Sequence, residues 1–278
     1  MIERYGEEFG VVWLLKKLRI YPNAYYNYKK RRKANYFLKQ EMVLKEIEEI
    51  YHERNGIPGY RMMRELLKTK GIRLSALTVH RYMNRILGLR SITRKKKPAY
   101  RKGDAHKKFP NRLNRTFTAS EENKVWCTDF TYLALTDGTM RYNCAILDLY
   151  QRKIVASKSS KRMDAQLSVE TLEEALKQAG GKRGVLLHSD QGSPYTSKQF
   201  TEYCKDKGVL QSMSRAGCPY DNAPMERYFN TLKAELINQK AYRSEQTLYA
   251  DIQSYTFGWY NQIRPHSYNG GLPPAQVR

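Results

Sequence analysis

The sequence predicts an all-α region followed by an α/β domain, and three observations over its 278 residues point there. Hydrophobic residues make up 41% of the chain, enough for real cores, which excludes wholesale disorder. The apolar period changes from helical to alternating after about residue 120. Charge divides at the same place: residues 1–120 hold 30 Lys and Arg against 10 Asp and Glu, whereas residues 121–278 hold 20 against 17. The net charge of +23 is therefore concentrated in the first region, and such a field gathers polyanions, nucleic acid before a membrane surface. No run approaches the ~20 apolar residues of a membrane-spanning helix; the best, Phe9 to Leu15, stops at Lys16 and Lys17. Glu3, Glu7 and Glu8 open the chain and no small-residue cleavage site follows, unlike a signal peptide. Cys127, Cys144, Cys204 and Cys218 form no C-x-x-C pair, so four reduced thiols of a cytoplasmic protein are expected, Cys127 and Cys144 in strands.

Residues 1–89 read as helices. A small helical unit fits Tyr5 to Lys33, where Tyr25, Tyr26 and Tyr28 either pack in a core or stack on bases. Glu41 to Arg54 is amphipathic through Val43, Leu44, Ile47, Ile50 and Tyr51. Gly59 precedes a second helix with Met62, Met63, Leu66 and Leu67, and Gly71 to Leu74 breaks it. Ser75 is the expected N-cap of a third, with Leu77, Val79, Tyr82, Met83 and Ile86 inward and Thr78, Arg81 and Arg85 outward. Over about 40–89 this pattern is that of a helix-turn-helix, a plain helical bundle being the alternative. Arg90 to Thr118 carries 11 basic residues, one acid and two prolines, the composition of an extended linker. Within it Lys95, Lys96 and Lys97 are either a solvated run or a strap that tracks phosphates.

Residues 119–278 change character. Lys124 to Leu135 and Arg141 to Tyr150 are β-branched and aromatic-rich, joined by a turn containing Asp137-Gly138, and Lys153 to Ser157 makes a third strand. Asp164 to Ala179 is helical until Gly180-Gly181, Val185 to His188 is a strand, Ser197 to Lys207 a helix and Val209 to Met213 a strand. Helices begin near Ala223 and Ser244. Three antiparallel strands followed by alternating helix and parallel strand is the order of a ribonuclease H-like α/β domain, a mixed five-stranded sheet with flanking helices.

Three acids hold related positions in that order. Asp129 lies on the first strand, Asp190 just past the fourth, and Glu226 in the first turn of a helix. Because strands one and four are neighbours in this topology, Asp129 and Asp190 are expected to converge at the strand ends, with Glu226 brought across by its helix. Clustered carboxylates suit hard divalent cations, which take oxygen ligands and as a pair serve both the attacking and the leaving oxygen. Lys233 falls seven residues after Glu226 on the same helix face, with Asn230 between them. It is either a cation along the path of bound DNA or a solvated lysine.

The strings around these acids carry a resemblance. Thirty-five residues separate Asp190 from Glu226. The blocks W-C-T-D-F-T-Y (126–132), H-S-D-Q-G-S-P-Y-T-S (188–197), S-M-S-R-A-G-C-P-Y-D-N (212–222), E-R-Y-F-N-T-L-K-A-E (226–235) and Y-N-Q-I-R-P-H (260–266) occur in order. Together with Gly59 to Leu89 and Asn111 to Phe117 they resemble the insertion-sequence-3 family of transposases (OrfB type), within the superfamily of DDE transposases and retroviral integrases. The resemblance implies a two-metal polynucleotidyl transferase in which Asp129, Asp190 and Glu226 bind Mg²⁺ or Mn²⁺. Its substrates would be double-stranded DNA: the terminal inverted repeats of the transposon, and a target. It also implies a homodimer or higher synaptic assembly, a partner protein from an upstream reading frame, and a bacterial, nucleoid-associated location. Arg215 and Asn222 would position phosphate or the loop before Glu226; His188 is a site partner or a core histidine, and Arg264 and His266 would fold back towards the site. A nuclease on the same fold, or an inactive DNA-binding regulator, are the competing functions.

Overall fold

The computed structural model describes residues 1–30, 34–92, 108–215 and 218–277. The chain divides into two compact units, Met1–Ser91 and Ile92–Arg278.

The first unit is helical: α1 (Ile2–Phe9), α2 (Val11–Lys17), α3 (Pro22–Lys29), α4 (Ala34–Glu53), α5 (Tyr60–Thr69) and α6 (Ala76–His80). Gly10, at φ 75, separates α1 from α2, a left-handed turn that glycine adopts without strain. Pro22 opens α3, where its missing N–H costs nothing. Ser75 caps α6 as expected, its Oγ accepting from Thr78 N at 3.1 Å. Ile47 and Ile50 of α4, Met63, Leu66 and Leu67 of α5, and Val79, Tyr82 and Met83 form one core. Two residues expected in that core are outside it: Leu77 is 79% exposed and Ile86 48%. Leu77 stands two residues, about 200° of an α-helix, from the buried Val79 and so faces outward. Ile86 follows from the winding: beyond α6 the chain continues over Arg81–Ile86 as a wider π-helical turn, with Leu87 N donating to Tyr82 O, so a strict 3.6-residue stripe does not describe its buried face.

The second unit is built on a five-stranded sheet in the order β3-β2-β1-β4-β5. Strands β1 (Val125–Ala134), β2 (Met140–Asp148) and β3 (Ile154–Ser160) form an antiparallel meander, and β4 (Leu186–Ser189) and β5 (Leu210–Met213) add in parallel on the other side of β1. The β1–β2 turn closes where Asp137 Oδ1 accepts from Thr139 N at 2.9 Å and Gly138 sits at φ 82. Alternation along β1 feeds two cores. On one face Trp126 packs with Leu172, Leu176, Phe200 and Cys204 of α7 (Ala165–Gln178) and α9 (Lys198–Asp206), with the one-turn α8 (Ser193–Thr196) lying between those helices in sequence. On the other, Cys127, Ala145 and Leu147 meet Met225, Tyr228, Phe229 and Leu232 of α10 (Ala223–Glu235). Leu248 and Ile252 of α11 (Glu245–Gln253) cover Leu133 and Leu135 near the end of β1. Cys127, Cys144 and Cys204 are buried free thiols.

The basic linker expected over 90–118 does not extend that far. Leu113 is buried among the residues of the α10 face, and Phe109 and Phe117 pack against the two faces of the sheet. The charge of this stretch masked three apolar anchors.

Candidate active site and recognition helix

The parallel register pairs Cys127 with His188, and two residues further along each strand stand Asp129 and Asp190. Neighbouring strands lie ~4.8 Å apart, so these acids occupy adjacent positions, Asp190 just past the end of β4 and Asp129 in the middle of the longer β1 rather than at its end. Asp129 shares the face of Cys127, the face that α10 covers, and α10 carries Glu226 in its first turn. All three carboxylates are half-buried. Asp129 Oδ1 accepts from Phe130 N at 2.8 Å, and Asp190 Oδ1 accepts from Gly192 N at 2.8 Å. A Cβ on Gly192 would lie 2.8 Å from that same Asp190 oxygen, so any other residue there would have to displace the carboxylate. The elements bring the three acids to the one face of the sheet that α10 covers. The side chains are not gathered further: among the described residues no three His, Cys, Asp or Glu groups form a metal cluster. Two of the acids instead satisfy an oxygen on a local N–H.

The loop before α10 is held by two residues. Asp221 is buried and accepts three hydrogen bonds, from Arg215 N at 3.0 Å, Arg115 Nε at 2.6 Å and Asn111 Nδ2 at 3.1 Å. The Arg215 N–H and then the Arg115 guanidinium hold its carboxyl below the ordinary range. Asn222, next in sequence, donates from Nδ2 to Thr128 O at 3.0 Å, tying the start of α10 to β1 one residue before Asp129. Asn222 thus fixes the start of the helix that carries Glu226. Asp221 was not anticipated, because its partners lie up to 110 residues away.

His188 is a core histidine. Ser212 Oγ accepts from Arg112 N at 2.9 Å and Leu113 N at 3.3 Å, which leaves its own hydrogen for His188 Nδ1, 2.9 Å away. His188 Nε2 then carries the proton and faces Ser214 Oγ at 3.1 Å. Burial lowers its pKa to about 4, so the ring is neutral. Arg264 and His266 do not reach the carboxylates. Arg264 forks onto Glu235 at the far end of α10, at 2.8 and 3.0 Å, and Tyr255 and Trp259 donate to the same carboxylate. His266 is buried edge-on to Tyr260, 4.6 Å between ring centres. Lys233 and Asn230 are half-buried on the Glu226 stripe of α10, and the Arg215 side chain is exposed.

In the first unit Arg81 and Arg85 are exposed, and the Arg81 guanidinium lies 5.5 Å from the centre of the Tyr82 ring. Thr78 is occupied locally, its Oγ1 2.9 Å from Ser75 Oγ. Lys95, Lys96 and Lys97 lie outside the described residues. No helix of the described residues is long and apolar enough to cross a membrane.

Comparison with known families fits this geometry. The Integrase core domain family matches residues 119–219, a second family of the same description matches 207–274, and the HTH-like domain family matches 38–97. The transposase for insertion sequence element IS904 of Lactococcus lactis subsp. lactis (strain IL1403) is 34% identical over 238 residues, covering 85% of this chain and 93% of that one. The chain belongs to the insertion-sequence-3 family of transposases. Two further transposases of insertion sequences span almost its whole length. That of IS629 from Shigella sonnei is 30% identical over 100% of this chain and 94% of its own. InsF of IS3A from Escherichia coli (strain K12) is 31% identical over 99% and 96%. Among solved structures, the simian T-cell lymphotropic virus intasome in complex with PP2A regulatory subunit B56 gamma aligns with a TM-score of 0.48 at 13% identity, over 77% of this chain and 69% of that chain. As an IS3-family member the protein is a DNA transposase with an integrase core and an HTH-like domain.

Proposed function

We propose that this IS3-family transposase cuts and joins the ends of its element by metal-dependent phosphodiester chemistry at Asp129, Asp190 and Glu226. The observation that carries the proposal is the register that sets Asp129 beside Asp190 on the face covered by the helix of Glu226. The donor set fits the cation: three carboxylates offer only hard oxygen ligands, with no thiolate or imidazole among them. Mg²⁺ or Mn²⁺ held there would activate the attacking oxygen and stabilise the leaving one.

The chain's own residues supply the rest. Gly192 N–H and the close fit of that turn fix the Asp190 carboxylate. Asn222 and Asp221 fix where α10 starts and therefore where Glu226 stands. Lys233 and the exposed Arg215 guide the DNA backbone past the carboxylates, with water or a 3′-hydroxyl as the attacking group. Residues 1–89 recognise the terminal inverted repeats through Arg81 and Arg85, with Thr78 serving the helix cap and the groove edge. Lys95, Lys96 and Lys97 track phosphates. Joining requires two ends and a target to be held together, so the working form is a homodimer or larger synaptic assembly, with an upstream-frame protein as partner. Its substrate places it in the bacterial cytoplasm, at the nucleoid.

The test is strand transfer by purified protein on precleaved ends in Mg²⁺. Joining is the expected product; cutting without joining would make the protein a nuclease, and neither would make it a regulator.

A further inference from the structure

The outward face of the recognition helix holds an apolar side chain where a polar one would be expected. Leu77 lies in the first turn of α6 and is 79% exposed, while its neighbours Val79, Tyr82 and Met83 fill the core. Leu77, Arg81 and Arg85 recur every four residues and are all exposed, so the leucine stands on the same side as the two arginines. Thr78, the polar residue beside it, exchanges a hydrogen bond with the cap Ser75. A single exposed leucine on a protein surface needs no explanation. This one differs in position: the N-terminal turn of a recognition helix meets base edges in the major groove, and the arginines on its side of the helix supply the charge that DNA requires.

The major-groove edge of DNA offers one methyl group to an apolar side chain, at C5 of thymine. We propose that Leu77 packs against a thymine methyl in the terminal repeat and makes the transposase selective for thymine at that position. This rests on the reading that α6 and its continuation enter the major groove. Burying one methyl against leucine accounts for about a fourfold preference, since a buried CH₂ is worth ~0.8 kcal/mol.

The experiment uses the full chain and a duplex bearing the terminal repeat of the element that encodes it. Each thymine is replaced in turn by deoxyuridine, which removes the methyl and leaves the pairing edge unchanged. Wild-type protein is expected to lose about fourfold in affinity at one position, and Leu77→Ala to bind the unmodified end about fourfold more weakly with no further loss on uridine there. Arg81→Ala, measured alongside, should keep the methyl effect while losing preference for the end over random DNA. A wild type indifferent to every methyl, or a Leu77→Ala variant with undiminished uridine sensitivity, overturns the proposal. If Arg81→Ala loses its end preference in the same series, only the leucine assignment has failed; if Arg81→Ala binds like wild type, the groove reading has failed with it. Because Leu77 is exposed, the unchanged thermal melt of Leu77→Ala serves as the folding control.

Discussion

The two units of this transposase treat their apolar residues in opposite ways. In Met1–Ser91 one modest core joins α4, α5 and α6, and Phe9, Val12, Trp13, Tyr21, Phe37, Leu38 and Leu77 remain exposed. In Ile92–Arg278 both faces of the sheet are covered, and even polar groups such as His188, Asn222 and Asp221 are buried with partners. The first unit also carries positive charge at about twice the density, a net +11 over 91 residues against +12 over 187. A surface that must meet DNA is served by exposed cations and adaptable apolar groups. A site that must hold carboxylates in place is served by buried hydrogen bonds, which fix geometry to a fraction of an ångström. Substitutions among the residues that hold the carboxylates of the second unit should therefore impair chemistry while leaving binding intact, and substitutions on the exposed face of α6 and its continuation the reverse.

The largest effect that separates the units, outside the three acids, is expected at Gly192. Gly192→Ala places a Cβ 2.8 Å from Asp190 Oδ1 and must displace that carboxylate. Strand transfer should fall by about 100-fold, the usual consequence of a misplacement near 1 Å, with end binding within twofold of wild type. A parallel loss of binding would break the separation.

Next comes Asp221→Asn, which removes the charge that accepts from Arg115 Nε, Arg215 N and Asn111 Nδ2. Denaturant unfolding should show a loss of about 2 kcal/mol, since hydrogen bonds to charged groups contribute ~1.5–3 kcal/mol each. An unchanged midpoint would mean that the loop before α10 is not held by this carboxylate.

Arg81→Ala should reduce the preference for end over random DNA by about tenfold, within the ~1–3 kcal/mol of a good base contact, and leave strand transfer on saturating precleaved ends unchanged. Equal losses on both DNAs would assign Arg81 to phosphates.

The smallest effect is acid sensitivity. Burial, reinforced by the positive charge of Arg264, lowers the His266 pKa from 6.5 to about 3. A depressed histidine takes up its proton more readily when unfolded, so its stabilisation is complete above pH 6.5 and is lost as pH falls from there to about 3. His266→Asn should flatten the fall of melting temperature across that window, by about 1 kcal/mol of stability at pH 6. An identical acid profile would show that the ring is solvated in the folded protein.

Much of this arrangement is legible in the sequence, for identifiable reasons. The strands of the second unit announce themselves through β-branched runs and the Asp137-Gly138 turn, and their order follows from chain topology. Asp129, Asp190 and Glu226 stand out because each lies in a distinctive string, on a strand, just past a strand and in the first turn of a helix. What sequence reading misses depends on contacts distant in the chain or on irregular winding. Nothing near Asp221 marks it as buried, since Asn111 and Arg115 must fold onto it first. The basic stretch before the sheet conceals Leu113, whose burial depends on the α10 face. Ile86 is assigned inward by a 3.6-residue period that the π turn after His80 does not keep, whereas Leu77, about 200° from Val79, belonged to the outward face from the start.

The division of labour between the units is tested most directly by Glu226→Gln, assayed for end binding and for strand transfer on the same preparation in Mg²⁺. The amide keeps the shape of the side chain and removes the charge that holds a hard cation. Binding of the terminal repeat should remain within twofold of wild type, while strand transfer should fall below one part in about a thousand. Wild-type strand transfer by Glu226→Gln would show that the chemistry does not reside at these three carboxylates.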